Sequence, residues 1–299
     1  MLVSVGIPVY NRLDSLKRSL NSIINQTYKN IEIIVSNDHS PNHEIDLLIK
    51  EYALKDNRIK YYYQEKSLRT VGNFSFVKDN ANGKYFLWLA DDDWIDNNYI
   101  EECVSFLENN LNYTIACGKC YYHKTEYVIL HENSNYSIEN NNYWLRIANY
   151  FSKVTLNGYF YGVMRTKEIK DFKFQNELGF DWTIVSYLCF VGKIKTLDNT
   201  VSHISKGGMS NEGSNLNLYF AKKNFITQYL VGFSTSLNCS TNVFSSSKYN
   251  IPFIKKIALS ILIFICAYFN TFSWDLILLK RKIVKQLKIN KNGILFKQK

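Results

Sequence analysis

The chain has 299 residues, a formal charge of +10, 46% hydrophobic and 15% aromatic residues and only 3 Pro. That is enough apolar mass for one large α/β domain or two smaller ones, and it excludes a disordered chain or a small disulfide-stapled fold. The charge is unevenly placed: residues 251–299 hold ten Lys/Arg and a single acid, Asp275, so this tail carries +9 and residues 1–250 carry +1. A nucleic-acid enzyme gathers its cations around the active site, so nucleic acid is excluded as a partner. A cationic tail fits an anionic membrane surface instead. The six Cys have no framework spacing and read as reduced, mostly buried thiols. The N-terminus MLVSVGIPVYN has no basic n-region or apolar h-region, so no signal peptide is expected.

In chain order, Leu2 to Val9 alternates and is β-branched, which predicts a first strand ended by Pro8. Asn11 can cap a helix from about Arg12 that carries Leu13, Leu16, Leu20, Ile23 and Ile24 on one face. Ile31 to Ser36 is a second strand, ending in the polar cluster Asn37-Asp38-His39-Ser40. A second helix follows with Ile45, Leu48, Ile49, Tyr52 and Ala53 on one side. Arg58 to Tyr63 is a third strand, Val71 to Asn82 a third helix capped by Gly83, and Tyr85 to Leu89 a buried fourth strand. This alternation predicts a parallel sheet with right-handed crossovers.

The fourth strand runs into Ala90 and three consecutive carboxylates, Asp91, Asp92 and Asp93. Ligands of open α/β sheets bind at such strand ends. Three crowded acids repel one another unless a cation sits among them, and hard oxygen ligands suit Mg²⁺ or Mn²⁺. The plainer alternative is a solvated acidic turn capping a helix that starts near Asn97. Asp38 ends a neighbouring strand at the same edge, which favours the site over the turn. Cys117-Gly-Lys-Cys120 has the spacing of a zinc half-site with His123 nearby, but no second Cys/His pair completes it, so it reads as a partly buried strand.

Four segments, Pro8-Val-Tyr-Asn11, Ser22 to Tyr28, Glu32 to Ser40 and Leu89 to Asp93, occur in the order and spacing of the family 2 inverting glycosyltransferases, which this chain resembles over about residues 2–96. The resemblance implies a GT-A nucleotide-diphospho-sugar transferase fold, α/β and Rossmann-like with a mostly parallel central sheet. It implies that Pro8, Tyr10 and Asn11 border the nucleotide base and that Asp38 accepts from the uracil ring. Asp91 to Asp93 match the DxD region that binds the ribose and the diphosphate metal. Ala90 stands at that motif's first Asp, so Asp92 aligns as the metal ligand with Asp91 or Asp93 helping. Asn37 stands where the family commonly has a first acid.

Further along, Tyr99 to Leu107 reads as a helix, Thr114 to Cys120 as a strand, Glu126 to Asn142 as a polar loop, Tyr143 to Phe151 as a short aromatic helix and Gly158 to Arg165 as a strand. Asp181 opens an apolar helix with Trp182, Val185 and Leu188 behind it. An N-cap explains an Asp there, whereas the resemblance places the catalytic base at this position, with Phe180 replacing the Glu that usually precedes it. Val201 to Ser210 resembles the family's mobile segment after the sheet, in which His203 is a candidate third metal ligand or phosphate contact.

From Leu216 the character changes, with a helix expected over 216–233 and a Ser/Asn-rich linker from Asn238 to Ser247. Ile257 to Phe269 is apolar apart from Ser260 but short of the ~20 residues a spanning helix needs. Asn270 to Asp275 interrupts it before Leu276–Leu279 and Lys280-Arg-Lys282. This predicts an interfacial helix with a polybasic flank, against a helix that covers the domain or forms a dimer contact. The expected organisation is a catalytic domain over 1–215 (donor half 1–96, acceptor half 97–215) and a membrane-associating region over 216–299. The expected function is a metal-dependent inverting transfer from a UDP-sugar to a lipid-linked saccharide of a bacterial surface polysaccharide, at the cytoplasmic face of the plasma membrane. The rivals are a sugar nucleotidyltransferase, which would want a Gly-rich basic loop after the first strand, and a non-catalytic carbohydrate-binding or scaffold protein.

Overall fold

The computed structural model describes residues 1–123, 128–130, 136–154, 156–175, 177–205 and 225–295. Strand β1 (Val3–Val9) is buried along its whole length, as a strand covered on both faces must be. It lies between β2 (Ile31–Asn37) and β4 (Tyr85–Trp88), with β3 (Ile59–Tyr63) outside β2; all four are parallel. Helices α1 (Leu13–Ile24), α2 (His43–Lys55) and α3 (Arg69–Asp79) make the crossovers. Pro8 does not end β1; Val9 does. The ladder to β4 stops at Gly6↔Trp88, so the N–H that Pro8 lacks has no partner to lose. Helix α1 starts at Leu13, after Arg12, which gives no side-chain cap because a guanidinium has no acceptor for the helix N–H groups; it pairs with Asp91 and Asp92 instead.

Beyond β4 the sheet is mixed. Among the described residues its order is β3-β2-β1-β4-β8-β6-β9-β5, with β5 (Trp94–Ile95), β6 (Tyr113–His123), β8 (Val163–Arg165) and β9 (Lys193–Ser205). Strand β8 is antiparallel to both neighbours, and β5 is antiparallel to β9. The segment read as a polar loop contains a further strand, β7 (Val128–Leu130), an apolar triplet that pairs with the end of β6. The stretch Gly158 to Arg165 is a strand only in its last three residues. Its first four form a 3-10 turn, Gly158–Tyr161, because the Asn157 and Tyr159 carbonyls accept from Phe160 and Gly162. That turn drives Phe160 into the core, where it stacks on Trp88 with centroids 4.5 Å apart.

Two apolar layers flank the sheet. One holds α1, α2 and α4 (Tyr99–Asn109) against Val3, Val5, Ile7 and Ile33. The other holds α3, α5 (Tyr143–Lys153), the short α6 (Thr166–Ile169) and α7 (Phe180–Val191) against Ile34, Phe86 and Trp88.

The C-terminal region joins this second layer through α8 (Phe225–Tyr229), α9 (Val231–Ser245) and α10 (Phe253–Leu295). The expected linker from Asn238 is mostly helix. Ser236 and Thr241 donate to carbonyls one turn back, and Ser260 donates to the Ser240 carbonyl, so a Ser/Asn-rich sequence is satisfied inside the fold. The expected break at Asn270 to Asp275 is absent as well. Asn270 donates to the Val154 carbonyl, and the buried Asp275 accepts from the N–H groups of Gly232 and Phe233 at 2.7 and 3.0 Å, capping α9 from outside. Asn270 and Asp275 thus lie on the docking face of α10. Residues 206–224, with most of the expected closing segment and the start of the 216–233 helix, lie outside the described residues.

Candidate functional site

The carboxyl ends of β1, β2 and β4 converge, and each delivers part of one polar cluster. Asp91, Asp92 and Asp93 are all buried, which rules out the solvated turn. Helix α1 holds their backbone: Ser19 donates to the Ala90 and Asp93 carbonyls, and Arg18 donates to the Asp92 carbonyl while lying 3.6 Å over the Trp94 ring. Asp91 accepts from the Tyr10 N–H at 3.1 Å. The Arg12 guanidinium lies between two of the acids, with Nη1 3.1 Å from Asp91 Oδ1 and 2.9 Å from Asp92 Oδ2. Burial pushes Asp91 up to about 6 although Arg12 pulls it down. Burial also raises Asp92, again against Arg12, and raises Asp93 well above the usual carboxylate range, with the Asp92 charge adding to it.

The donor set suits a hard divalent cation bound partly by phosphate oxygens. Asp92 Oδ2 is buried and makes no hydrogen bond; its contact is the ion pair with Arg12. Among the described residues no three His, Cys, Asp or Glu side chains converge as a metal cage. Mg²⁺ and Mn²⁺ often take one or two carboxylates and complete their shell with substrate and water. Asp93 Oδ1 accepts from the Ser205 N–H at 2.8 Å. Both His203 ring nitrogens are in hydrogen-bonding contact, Nδ1 with His123 Nε2 at 2.9 Å and Nε2 with Asp96 Oδ1 at 3.1 Å. A metal held by Asp92, Asp93 and His203 would require His203 to give up one of its two partners, whereas Asp93 has a second carboxylate oxygen to offer. Trp94 stacks on His203 with planes 6° apart, so this group pins β5 to the ends of β6 and β9.

Pro8 is buried, and Tyr10 and Asn11 are exposed at the mouth of the cluster. Asp38 is buried one residue past β2 and accepts from the Ser67 hydroxyl at 2.8 Å and the Leu68 N–H. Its neighbours His39 and Arg69 have φ of 56° and 59°. Left-handed backbone at two non-glycine residues around one carboxylate is the kind of strain that collects at ligand sites. The CxxC pair lies in β6 as buried free thiols, pushed up to about 12 at Cys117 and about 11 at Cys120 by burial.

Asp181 comes from the other half of the sheet. It is half-buried in the first turn of α7, while the cap position belongs to Gly179. Gly179 has φ +81°, and a Cβ there would lie 2.7 Å from the Thr235 methyl of α9. Gly179→Ala is therefore expected to destabilise the protein by about 1–2 kcal/mol or more, read as a lower urea midpoint at unchanged slope. An unchanged midpoint would show that neither the backbone nor α9 constrains this turn. Asn157 donates to Asp181 Oδ2 at 2.9 Å. Burial raises the Asp181 pKa, opposed first by this bond. Aromatic packing fixes the distance between the two acid groups: Trp88 at the end of β4 stacks on Phe160, which meets Phe180 edge-on at 5.8 Å. After burial, the charges of Asp93, Asp92 and Asp181 all raise the Tyr161 phenol.

Sequence reasoning missed Arg12, Arg18, Asn157 and Tyr161. Arg12 had a signal, since it directly follows the loop motif that faces the three acids. Asn157 had none.

Residues 4–172 match the family described as Glycosyl transferase family 2. The glycosyltransferase GlyA of Streptococcus pneumoniae is 39% identical over 99 residues, 33% of this chain and 14% of that protein. The putative glycosyltransferase EpsH of Bacillus subtilis is 39% identical over 101 residues, 33% of this chain and 28% of its own length. The chain thus aligns with well under half of either relative. The crystal structure of S. aureus TarS 1–349 in complex with UDP-GlcNAc superposes with a TM-score of 0.65 at 17% identity, over 92% of this chain and 76% of that one. The family match spans more than half of the sequence and the superposition nearly all of the fold: the chain belongs to glycosyl transferase family 2 and has the GT-A transferase fold.

Proposed function

We propose that this protein transfers a sugar from a UDP-sugar, with inversion, to a lipid-linked saccharide of a bacterial surface polysaccharide at the cytoplasmic face of the plasma membrane. The observation that carries the reading is the buried cluster of Asp91, Asp92 and Asp93 at the end of β4, beside the buried Asp38 at the end of β2, in a chain of glycosyl transferase family 2. Asp38, Pro8, Tyr10 and Asn11 border the nucleotide, and Asp92 holds the Mg²⁺ or Mn²⁺ with Asp91 beside it. When bound, that ion supplies neutralisation of the charge on the departing diphosphate. Asp181 takes the proton of the acceptor hydroxyl as it attacks the anomeric carbon from the face opposite the leaving group. The burial that raises its pKa brings a carboxylate closer to the basicity this step needs. UDP is the nucleotide of the UDP-GlcNAc that TarS binds, and an acid at Asp38 suits the uracil N–H. Residues 1–215 supply both subsites, and 216–299 the membrane contact. Screening UDP-sugars for Mn²⁺-dependent hydrolysis tests the reading; no turnover with any of them would end it.

Membrane contact rests on α10. Phe253–Val284 is long and apolar enough to cross a bilayer, and the buried Asp275 within it, which caps α9, supports a helix that lies along the domain and meets the membrane with its outer face. Its inner residues Leu259, Ile263 and Ala267 are fully buried, while Ile261, Ile265, Phe269 and Phe272 are 46–84% exposed. Removing 251–299 would strip the core, so the test is to change the outer face alone. Replacing those four by Ser is expected to weaken binding to phosphatidylglycerol vesicles more than ~10-fold at an unchanged melting temperature. Vesicle binding equal to that of the wild type would place attachment elsewhere.

A further inference from the structure

Between α5 and α7 lies a short hydrogen-bonded chain that leads only to Asp181. The Tyr150 hydroxyl donates to Asn157 Oδ1 at 3.1 Å, and Asn157 Nδ2 donates to Asp181 Oδ2 at 2.9 Å. Tyr150 is fully buried, Asn157 is 9% exposed, and Asp181 is half-buried at the open end. We propose that Asn157 is a positioning residue that holds Asp181 ionised and turned toward the acceptor hydroxyl, with Tyr150 fixing which way its amide points. This rests on Asp181 being the base.

The argument is one of donors and acceptors. An ionised carboxylate only accepts, so it must meet the NH₂ end of the amide; the carbonyl end then faces Tyr150, whose hydroxyl must donate. Each group has one role in this arrangement, and an amide flipped by 180° would set oxygen against carboxylate oxygen. The bond fixes Oδ2, and the backbone N–H groups of Asp181 and Trp182 also hold the carboxylate, so its orientation is set from two sides. The Tyr150 ring meets that of Trp182, the next residue of α7, at 6.3 Å, so the residue that orients the amide also grips the helix that carries the base.

The electrostatics give the chain a purpose. Burial raises the Asp181 pKa, and hydrogen bonds oppose it: the Asn157 bond first, then the backbone N–H groups of Asp181 and Trp182. Among the described residues, the other titratable groups that sense Asp181 are Tyr150 on α5, Tyr161 on the 3-10 turn and Cys239 on α9, all neutral at working pH and all pushed up by burial. None of them supplies a cation, so the amide does the main share of holding the base in its charged form.

The test uses Mn²⁺-dependent hydrolysis of UDP-GlcNAc by full-length protein, followed against pH for wild type, Asn157→Leu, Tyr150→Phe, the double variant and Asp181→Asn. Loss of a hydrogen bond to a charged group is expected to move the acid limb of kcat/KM in Asn157→Leu upward by about one pH unit. Its kcat at pH 7 should fall at least ~5-fold with KM for UDP-GlcNAc near wild type. Tyr150→Phe, which keeps the ring, should move the limb the same way by less. The double variant should match Asn157→Leu alone, because Tyr150 acts through the amide. A wild-type acid limb in both single variants, with Asp181→Asn inactive, would overturn the proposal and leave the base assignment standing. Near-normal activity in Asp181→Asn would remove the base and this proposal together. Should Asn157→Leu fail to fold, the limb of Tyr150→Phe decides.

Discussion

Asp181→Asn is expected to lower kcat by at least about 100-fold while affinity for a UDP-sugar stays near wild type. A sugar hydroxyl is too weakly acidic to attack unaided at neutral pH, and an inverting displacement needs its base on the face opposite the diphosphate. In the proposed reading the acids at the end of β4 serve the donor, with Asp91 and Asp92 paired with Arg12, and Asp181, at the start of α7, serves the acceptor. Because burial raises its pKa, the acid limb of the wild-type pH profile should lie above the ordinary carboxylate range, and this limb should vanish in Asp181→Asn. The sign for stability is opposite to that for activity. A carboxyl raised in the fold contributes stability below its unfolded pKa, and that contribution is lost as pH rises through its folded pKa. At pH 7 the charge is therefore a cost, and the neutral Asn variant should melt at or above the wild-type temperature. An inactive variant that is also less stable would point to a structural role. A variant of near-normal kcat would move the base to Glu177, the nearest acid upstream.

Asp92→Asn is expected to abolish detectable turnover, a loss of at least about 1,000-fold, and to remove the gain in UDP affinity that Mn²⁺ confers. Asp92 carries the buried oxygen without a hydrogen bond, and Arg12 is its counter-ion. An amide there cannot neutralise a dication, and Arg12 loses the charge of one of its two carboxylate partners while keeping Asp91. Calorimetry of UDP with and without Mn²⁺ separates the two effects: affinity without metal should change little, and affinity with metal should drop to that level. Full activity of the wild type in excess chelator, or a Mn²⁺ effect that survives in Asp92→Asn, would contradict the assignment.

The donor half was legible because each of its elements has one period and one environment. Val3, Val5, Ile7 and Val9 face one core layer, and the stripe of Leu16, Leu20 and Ile23 appears where the helical spacing puts it. The acids were legible because three in a row at a strand end have few structural uses. What failed was governed by partners far along the chain. The Ser/Asn-rich α9 is a helix because its hydroxyls bond within their own turns and an acid some forty residues later caps it. The polar residues of α10 looked like a break because sequence alone does not show that Val154 and α9 receive them. Asn157 looked like any loop residue, since only the fold brings it to Asp181. Arg12 looked like the first residue of a helix, and its charge took it to the acids instead.

Proton NMR of the sugar released into water from an α-linked UDP-sugar that the protein hydrolyses, recorded before mutarotation, tests the central claim most directly. An enzyme in which Asp181 activates the nucleophile opposite the diphosphate releases the β-anomer first from this α-linked donor, and the signal requires Mn²⁺ and Asp181. The α-anomer appearing first would mean retained configuration and would contradict the displacement and the role of Asp181 alike.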